Sequence, residues 1–208
     1  MTILIADDHP LFRQALCMAV SRVAPGERVI EAGTLNAAAR HVGETDDLSL
    51  ILLDLKMPGA VGYSGIALLH AERPNVPILV VSSAEGENAA SEVRSFGAVG
   101  FINKNGDLDA MEDAIRAALA GKRPVAPPPV EPESEAGVRE TVAGLTPTQL
   151  KVLLAVVEGQ LNKQIAWNLG ITEATVKGHM TAIMRKLDVG NRTQAALVAR
   201  SLGLDLAH

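Results

Sequence analysis

The 208-residue chain is poor in cysteine and in aromatic side chains, with one Cys, one Trp, one Tyr and three Phe. A single thiol, Cys17, cannot close an intramolecular disulfide. The start, Met1-Thr2-Ile3-Leu4-Ile5, has no basic stretch leading into a long apolar one, so a reducing cytoplasm is the expected compartment. Also missing is any run approaching eighteen apolar residues: the stretches near Leu50 to Leu53 and Val152 to Val157 are stopped by Asp54 and Glu158, which argues against a membrane-spanning helix. With so few rings, a chain that is 48% hydrophobic must build its interior from Ala, Val, Leu and Ile. That composition excludes a disordered chain, and the length leaves room for one larger and one smaller core.

Charge is unevenly divided along the chain. Residues 1–123 carry 16 acids and 11 Lys/Arg, residues 124–144 carry 4 and 1, and residues 145–208 carry 4 and 7. An acidic front half joined to a basic tail suggests that only the tail approaches a polyanion such as DNA. The stretch Pro124-Val125-Ala126-Pro127-Pro128-Pro129-Val130-Glu131-Pro132-Glu133-Ser134-Glu135 is too rich in proline for helix or central strand and reads as a semi-extended linker, placed at 122–143.

In residues 1–121, short β-branched runs (Thr2 to Ala6, Arg28 to Glu31, Leu50 to Leu53, Pro77 to Ser82, Val99 to Asn103) alternate with helical patterns at roughly 11–24, 34–43, 64–72, 86–96 and 107–120. Thr34 and Asp107 are suitable caps. Strict alternation of five strands and five helices implies a parallel sheet covered on both faces, with any ligand at the carboxyl ends of the strands. Asp7 and Asp8 follow the first strand, Asp54 the third, Ser82 and Ser83 the fourth and Lys104 the fifth. Two like charges at about 4 Å repel by about 4 kcal/mol at an effective dielectric near 20, so three carboxylates there require a cation. A hard divalent ion, Mg²⁺, suits them, and such a site suits phosphoryl transfer with Asp54 as the nucleophile.

Residues 1–121 resemble a two-component receiver domain in the segments Ile5-Ala6-Asp7-Asp8-His9-Pro10, Leu53-Asp54-Leu55-Lys56-Met57-Pro58-Gly59, Val81-Ser82-Ser83-Ala84 and Gly97-Ala98-Val99-Gly100-Phe101-Ile102-Asn103-Lys104. The resemblance implies a flavodoxin-like, doubly wound α/β fold with strand order 2-1-3-4-5. It further implies that Asp54 accepts a phosphoryl group from a sensor histidine kinase, and that Asp8, Asp54 and the main-chain carbonyl of Lys56 ligate Mg²⁺ while Asp7 acts through a bound water. Ser83, aligned by its place before Ala84, would donate to the phosphoryl oxygens, Lys104 would pair with them, and Phe101 would fill an aromatic switch position or serve simply as core. His9 reads as a cap or surface residue of the helix starting at Pro10. The loop Gly59-Ala60-Val61-Gly62-Tyr63-Ser64-Gly65 is a few residues longer than the commonest receiver loop.

The tail opens on Leu145-Thr146-Pro147-Thr148-Gln149, with Thr146 at a helix cap, Pro147 in the first turn and Gln149 three past the cap. A short helix follows from Asn162 to Leu169, Gly170 stops it and Thr172 caps the next, which together predict a helix-turn-helix. In the second helix Val176, Met180, Ile183 and Leu187 recur on the inner face, leaving Lys177, Gly178, Thr181, Met184 and Arg185 outward. Leu161 stands where a small capping residue is usual, so Asn162 is the alternative cap.

Residues 145–203 resemble the LuxR/NarL-type DNA-binding domain in Leu145-Thr146-Pro147, Asn162-Lys163-Gln164-Ile165-Ala166, Thr175-Val176-Lys177-Gly178-His179, Arg185-Lys186-Leu187 and Asn191-Arg192-Thr193-Gln194-Ala195. The resemblance implies an all-α, four-helix domain at 144–208. It places Lys177, Gly178 and Thr181 against bases and makes Lys163, Thr175, His179 and Arg192 phosphate candidates. The final helix would pair with its copy in a homodimer. The whole chain is thus similar to a two-component response regulator of the NarL/FixJ family, a transcription factor and not an enzyme. A Mg²⁺-dependent phosphohydrolase is disfavoured because Asp7-Asp8-His9 lacks an Asp-x-Asp spacing. A phosphorylation-independent binding module is the third reading.

Overall fold

The computed structural model describes residues 1–60, 62–83, 89–121, 141–142 and 144–204, without the side chains of residues 89 and 91. Most of the expected linker, the residue Ala84, and the start of the helix expected at 86–96 lie outside the described residues.

Five strands, β1 (Thr2–Ala6), β2 (Arg28–Ala32), β3 (Leu48–Asp54), β4 (Ile78–Ser82) and β5 (Gly100–Asn103), form one parallel sheet in the order β2-β1-β3-β4-β5. Strand β3 begins two residues earlier than its β-branched run suggests and includes Asp54 as its last residue. The helices are α1 (Pro10–Val23), α2 (Leu35–Glu44), α3 (Ser64–Glu72), α4 (Ala89–Ser95) and α5 (Leu108–Leu119). Thr34 and Asp107 cap α2 and α5, each side chain accepting a backbone N–H three residues on, from Ala37 and Ala110.

Because strands buried on both faces need apolar side chains on both sides, β1, β3 and β4 are nearly continuous hydrophobic runs. Alternation then divides them. Ile3, Ile5, Leu50, Leu52, Leu79 and Val81 meet Leu16, Ala19 and Val20 of α1 and Met111, Ile115 and Ala118 of α5. Leu4, Ala6, Ile51, Leu53, Ile78 and Val80 face the opposite side, with Leu35, Ala38 and Val42 of α2 and Ile66 and Leu69 of α3.

Among the described residues the second domain is built on the helices α6 (Pro147–Val157), α7 (Asn162–Leu169), α8 (Glu173–Lys186) and α9 (Arg192–Ser201). Helix α6 has the complete capping box: Thr146 Oγ1 accepts the Gln149 N–H, and Gln149 Oε1 accepts the Thr146 N–H. Val142 is fully buried in this domain's core, and Leu145 N–H donates to its carbonyl, so packing begins upstream of the cap. The two domains touch. Helix α3 packs on α6, Lys151 Nζ lies 2.8 Å from Glu72 Oε1, and the buried apolar cluster on the α2/α3 side of the sheet runs on into the second domain.

Candidate phosphoacceptor site and nucleic-acid interface

Strand register assembles the acidic site. Ala6 is paired with Leu53, so the next residues of both strands, Asp7 and Asp54, emerge side by side, both essentially buried. Lys104 follows β5, its own N–H donating to the Ser82 carbonyl at 3.0 Å. Its ammonium lies 2.6 Å from Asp7 Oδ2 and 2.8 Å from Asp54 Oδ2. Burial works against that ammonium, but hydrogen bonds and charge from Asp54 and Asp7 outweigh it, so its pKa is raised above the ordinary lysine value. The other Asp54 oxygen, Oδ1, accepts the Lys56 N–H at 3.1 Å.

Asp7 Oδ1 accepts the His9 N–H at 2.7 Å, and Arg13 Nη1 donates to the Asp7 carbonyl at 2.7 Å. His9 occupies the N-cap position of α1, as the chain pattern suggests, but its ring makes no capping bond. Instead Nδ1 lies 2.7 Å from Asp8 Oδ1 and 3.5 Å from Asp7 Oδ1. A cavity of about 400 Å³ opens over Asp54, lined by His9, Leu11, Phe12, Lys56, Ser83 and Lys104.

One oxygen or nitrogen from each of Asp7, Asp8, His9 and Asp54 falls within 4.8 Å of the others, so these residues can hold a metal ion. The donor set fits a hard divalent cation. Lys104 pairs with two of the three carboxylates, Asp7 and Asp54, and the three acids with this one ammonium sum to a charge near −2 when all are ionised. Ser83 is exposed at the cavity, whereas Ser82 is buried. Phe101 is partly buried and packs against the core. Two neighbours of the acids had no motif to announce them. Phe12 and Arg13 lie four and five residues beyond Asp8 on α1, and only a helical projection from the Asp pair would single them out.

In the second domain Gly170 ends α7 in the left-handed conformation (φ 65°), which glycine adopts without strain, and Thr172 Oγ1 accepts the Thr175 N–H to cap α8. Leu161, not Asn162, is the N-cap residue of α7. Gln164 Oε1 accepts the Leu161 N–H at 2.7 Å, and that bond does not need a polar side chain at the cap. Asn162 instead accepts from Arg192 Nη1 at 2.8 Å, while Arg192 Nη2 donates to the Gln160 carbonyl. Arg192 is therefore tied inside the domain.

Along α8, Val176, Met180, Ile183 and Leu187 are buried as their spacing predicts. Lys177, Gly178, Thr181 and Arg185 are exposed and His179 is half-buried, but Met184 departs from the outward set: it is partly buried against the core. An unbranched thioether adapts to such a half-buried position at small cost. Lys163 and Thr175 are exposed, on α7 and at the start of α8. Thr181 Oγ1 donates back to the Lys177 carbonyl at 3.1 Å, and Thr175 Oγ1 lies 2.8 Å from Thr172 Oγ1. A polar, basic helix face of this kind is what insertion into a major groove requires.

A parallel 2-1-3-4-5 sheet with an acid-and-lysine rim, joined to a capped helix-turn-helix, defines a class of regulatory protein. Residues 3–116 match the response regulator receiver domain, and residues 143–199 match the bacterial regulatory proteins of the luxR family. The chain belongs to the NarL/FixJ family of two-component response regulators, which are DNA-binding transcription factors and not enzymes. It is 42% identical over 207 residues to the glycerol metabolism activator of Pseudomonas putida, covering 95% of this chain and 94% of that one. It is 32% identical over 202 residues to the nitrate/nitrite response regulator NarL of Escherichia coli K12, covering 94% and 93%. Among solved structures, RcsB from Salmonella enterica serovar Typhimurium, bound to promoter P1flhDC in the presence of the phosphomimetic BeF3⁻, is similar with a TM-score of 0.55. It is 25% identical, and 97% of this chain and 98% of that one are covered. Among the described residues no helix is long and apolar enough to cross a membrane.

Proposed function

We propose that a sensor histidine kinase phosphorylates Asp54, and that the phosphoryl group changes how the second domain dimerises and binds DNA. The observation that carries this reading is the convergence of Asp7, Asp8, Asp54 and Lys104 on one rim. Asp54 attacks the phosphorus with a carboxylate oxygen, the bond between phosphorus and the donor nitrogen breaks, and the electron pair leaves with the imidazole. Asp8, Asp54 and the Lys56 carbonyl would hold Mg²⁺, with Asp7 acting through water. Bound there, the ion offsets negative charge on the transferring group. Ser83 donates to the new phosphoryl oxygens and Lys104 pairs with them. Phe101 reports the change from β5, on the surface formed by β4, β5 and their helices.

On the DNA side, Lys177, Gly178 and Thr181 face bases. Lys163, Thr175 and His179 take phosphates, and Arg192 reaches one only by giving up its partners Asn162 and Gln160. Dimerisation runs through α9, whose outer face exposes Leu197. The receiver spans residues 1–121, the linker 122–143, whose end packs against the second domain at Val142, and the DNA-binding domain 144–208, and the protein works in the cytoplasm.

The test pairs labelling with DNA selection. Asp54→Asn is expected to abolish labelling by acetyl phosphate with Mg²⁺, and chelation is expected to do the same to the natural chain. Fragments selected with and without the phosphodonor should differ for the natural chain and not for Asp54→Asn. Undiminished labelling of the variant would remove Asp54 as acceptor.

A further inference from the structure

We infer that Phe12 is a positioning residue for phosphoryl transfer, holding the Lys104 ammonium over the acceptor pocket through its ring face. The inference rests on the reading of Asp54 as phosphoacceptor. Phe12 stands in the first turn of α1, and the Lys104 nitrogen lies 4.7 Å from its ring centroid. The same ring lines the cavity over Asp54, beside Ser83 and Lys56. An ammonium has three N–H groups, and Asp7 and Asp54 engage it at 2.6 Å and 2.8 Å. The ring takes a further side of the same cation.

The chemistry gives a reason for a ring at this place. During transfer Lys104 must move its hydrogen bonding from an Asp54 oxygen to a phosphoryl oxygen. A third carboxylate beside it would compete with the phosphoryl group for the ammonium. Water would leave the head free to wander. The face of a phenyl ring attracts a cation in a partly desolvated site, yet has no lone pair to hold it against an incoming anion. Phe12 also packs against the core cluster beneath α1 and α5, so a plain packing role is the competing explanation, and the test must separate the two.

The full chain is labelled with acetyl phosphate and Mg²⁺ under single-turnover conditions and followed by intact mass. In this reaction an Asp54 oxygen bonds to phosphorus, the bond from phosphorus to the acetyl oxygen breaks, and acetate leaves with the electron pair. Phe12→Leu keeps an apolar filler without the ring. It is expected to slow the maximal rate roughly three- to tenfold while leaving the half-saturating phosphodonor concentration unchanged. Phe12→Tyr restores the ring and is expected to return the rate to within about twofold of the natural chain. In a Lys104→Ala background the Leu substitution should have no further effect, because a residue acting through Lys104 has nothing left to position.

A Leu variant as fast as the natural chain overturns the proposal, as does a Tyr variant no better than Leu or a full further loss on top of Lys104→Ala. If Lys104→Ala labels too slowly to follow, Lys104→Gln, which keeps the stem without the charge, takes its place in that comparison. If Phe12→Leu melts early, Phe12→Met replaces it. Labelling that persists in Asp54→Asn marks failure of the underlying reading and not of the role given to Phe12.

Discussion

Asp7 and Asp54 are nearly inaccessible carboxylates whose neighbouring cation among the described residues is Lys104, at 2.6 Å and 2.8 Å. Removing one partner of a buried ion pair leaves the other charge uncompensated, at a cost of about 3–5 kcal/mol. Lys104→Ala is therefore expected to lower the receiver's melting temperature in a chelator, and added Mg²⁺ should recover more of the loss than it adds to the natural chain, as thermal melts would show. The sign of the pH dependence follows from the raised Lys104 pKa. A lysine with a raised folded-state pKa contributes stability that is fully present below about 10.4 and is lost as pH rises through its folded value. The gap in melting temperature between the natural chain and Lys104→Ala should accordingly stay constant from pH 7 to 9 and close only at strongly alkaline pH. At this scale the sequence disclosed the acids and the lysine, because parallel strands deliver their next residues to one rim. It did not disclose the side-chain directions. The His9 ring turning to Asp8 and the Phe12 ring meeting Lys104 depend on how α1 lies over the sheet, which no local pattern encodes.

Elements were legible wherever a local device marks their ends. The Thr146–Gln149 box, Gly170, Thr172, Thr34 and Asp107 all act in the structure at the positions their residue types suggest. Leu161 caps α7 where its residue type points to Asn162 instead, because half of a capping box needs only the backbone N–H of the cap residue, which any amino acid except proline supplies. Met184 turns inward against its helical spacing because α8 packs against more than one neighbour, and its buried arc is wider than a single stripe. Helix α8 carries one feature that works against its own stability. Gly178 is exposed, and a methyl group there would meet nothing within 4 Å. Replacing an exposed mid-helix glycine with alanine stabilises by about 1 kcal/mol. Gly178→Ala is thus expected to raise the stability of the DNA-binding domain in urea denaturation. If the bare backbone is there to approach a base or phosphate, the same variant will bind selected DNA fragments more weakly. Gain of stability with loss of affinity is the expected pair of results, and unchanged affinity would show that the glycine is merely tolerated.

For the whole molecule, the contact between the domains is made away from the exposed face of α8. Helix α3 packs on α6, and Lys151 joins Glu72. The long loop after β3 reaches the chain just beyond α9: Tyr63 N–H donates to the Gly203 carbonyl at 3.4 Å, and any Cβ at Gly62 would overlap that carbonyl. The loop thus makes a long-range contact that sequence spacing cannot announce. Tyr63 also stacks on Phe96 at the end of α4, with ring centroids 5.2 Å apart, and its hydroxyl meets Glu92 of the same helix. The contact links the loop that follows Asp54 to the chain just beyond α9, while Lys177, Gly178 and Thr181 remain exposed. A phosphoryl group that shifts α4 would act on this contact and leave the exposed face of α8 as accessible as before. The partly exposed Lys151–Glu72 pair contributes up to about 1 kcal/mol, and reversing one charge replaces that attraction with repulsion. Lys151→Glu is therefore expected to populate a more extended arrangement without any phosphodonor, read as a larger radius of gyration in X-ray scattering. The natural chain should reach that size only after acetyl phosphate treatment. Equal dimensions for variant and natural chain in both conditions would show that this contact does not hold the domains together in solution.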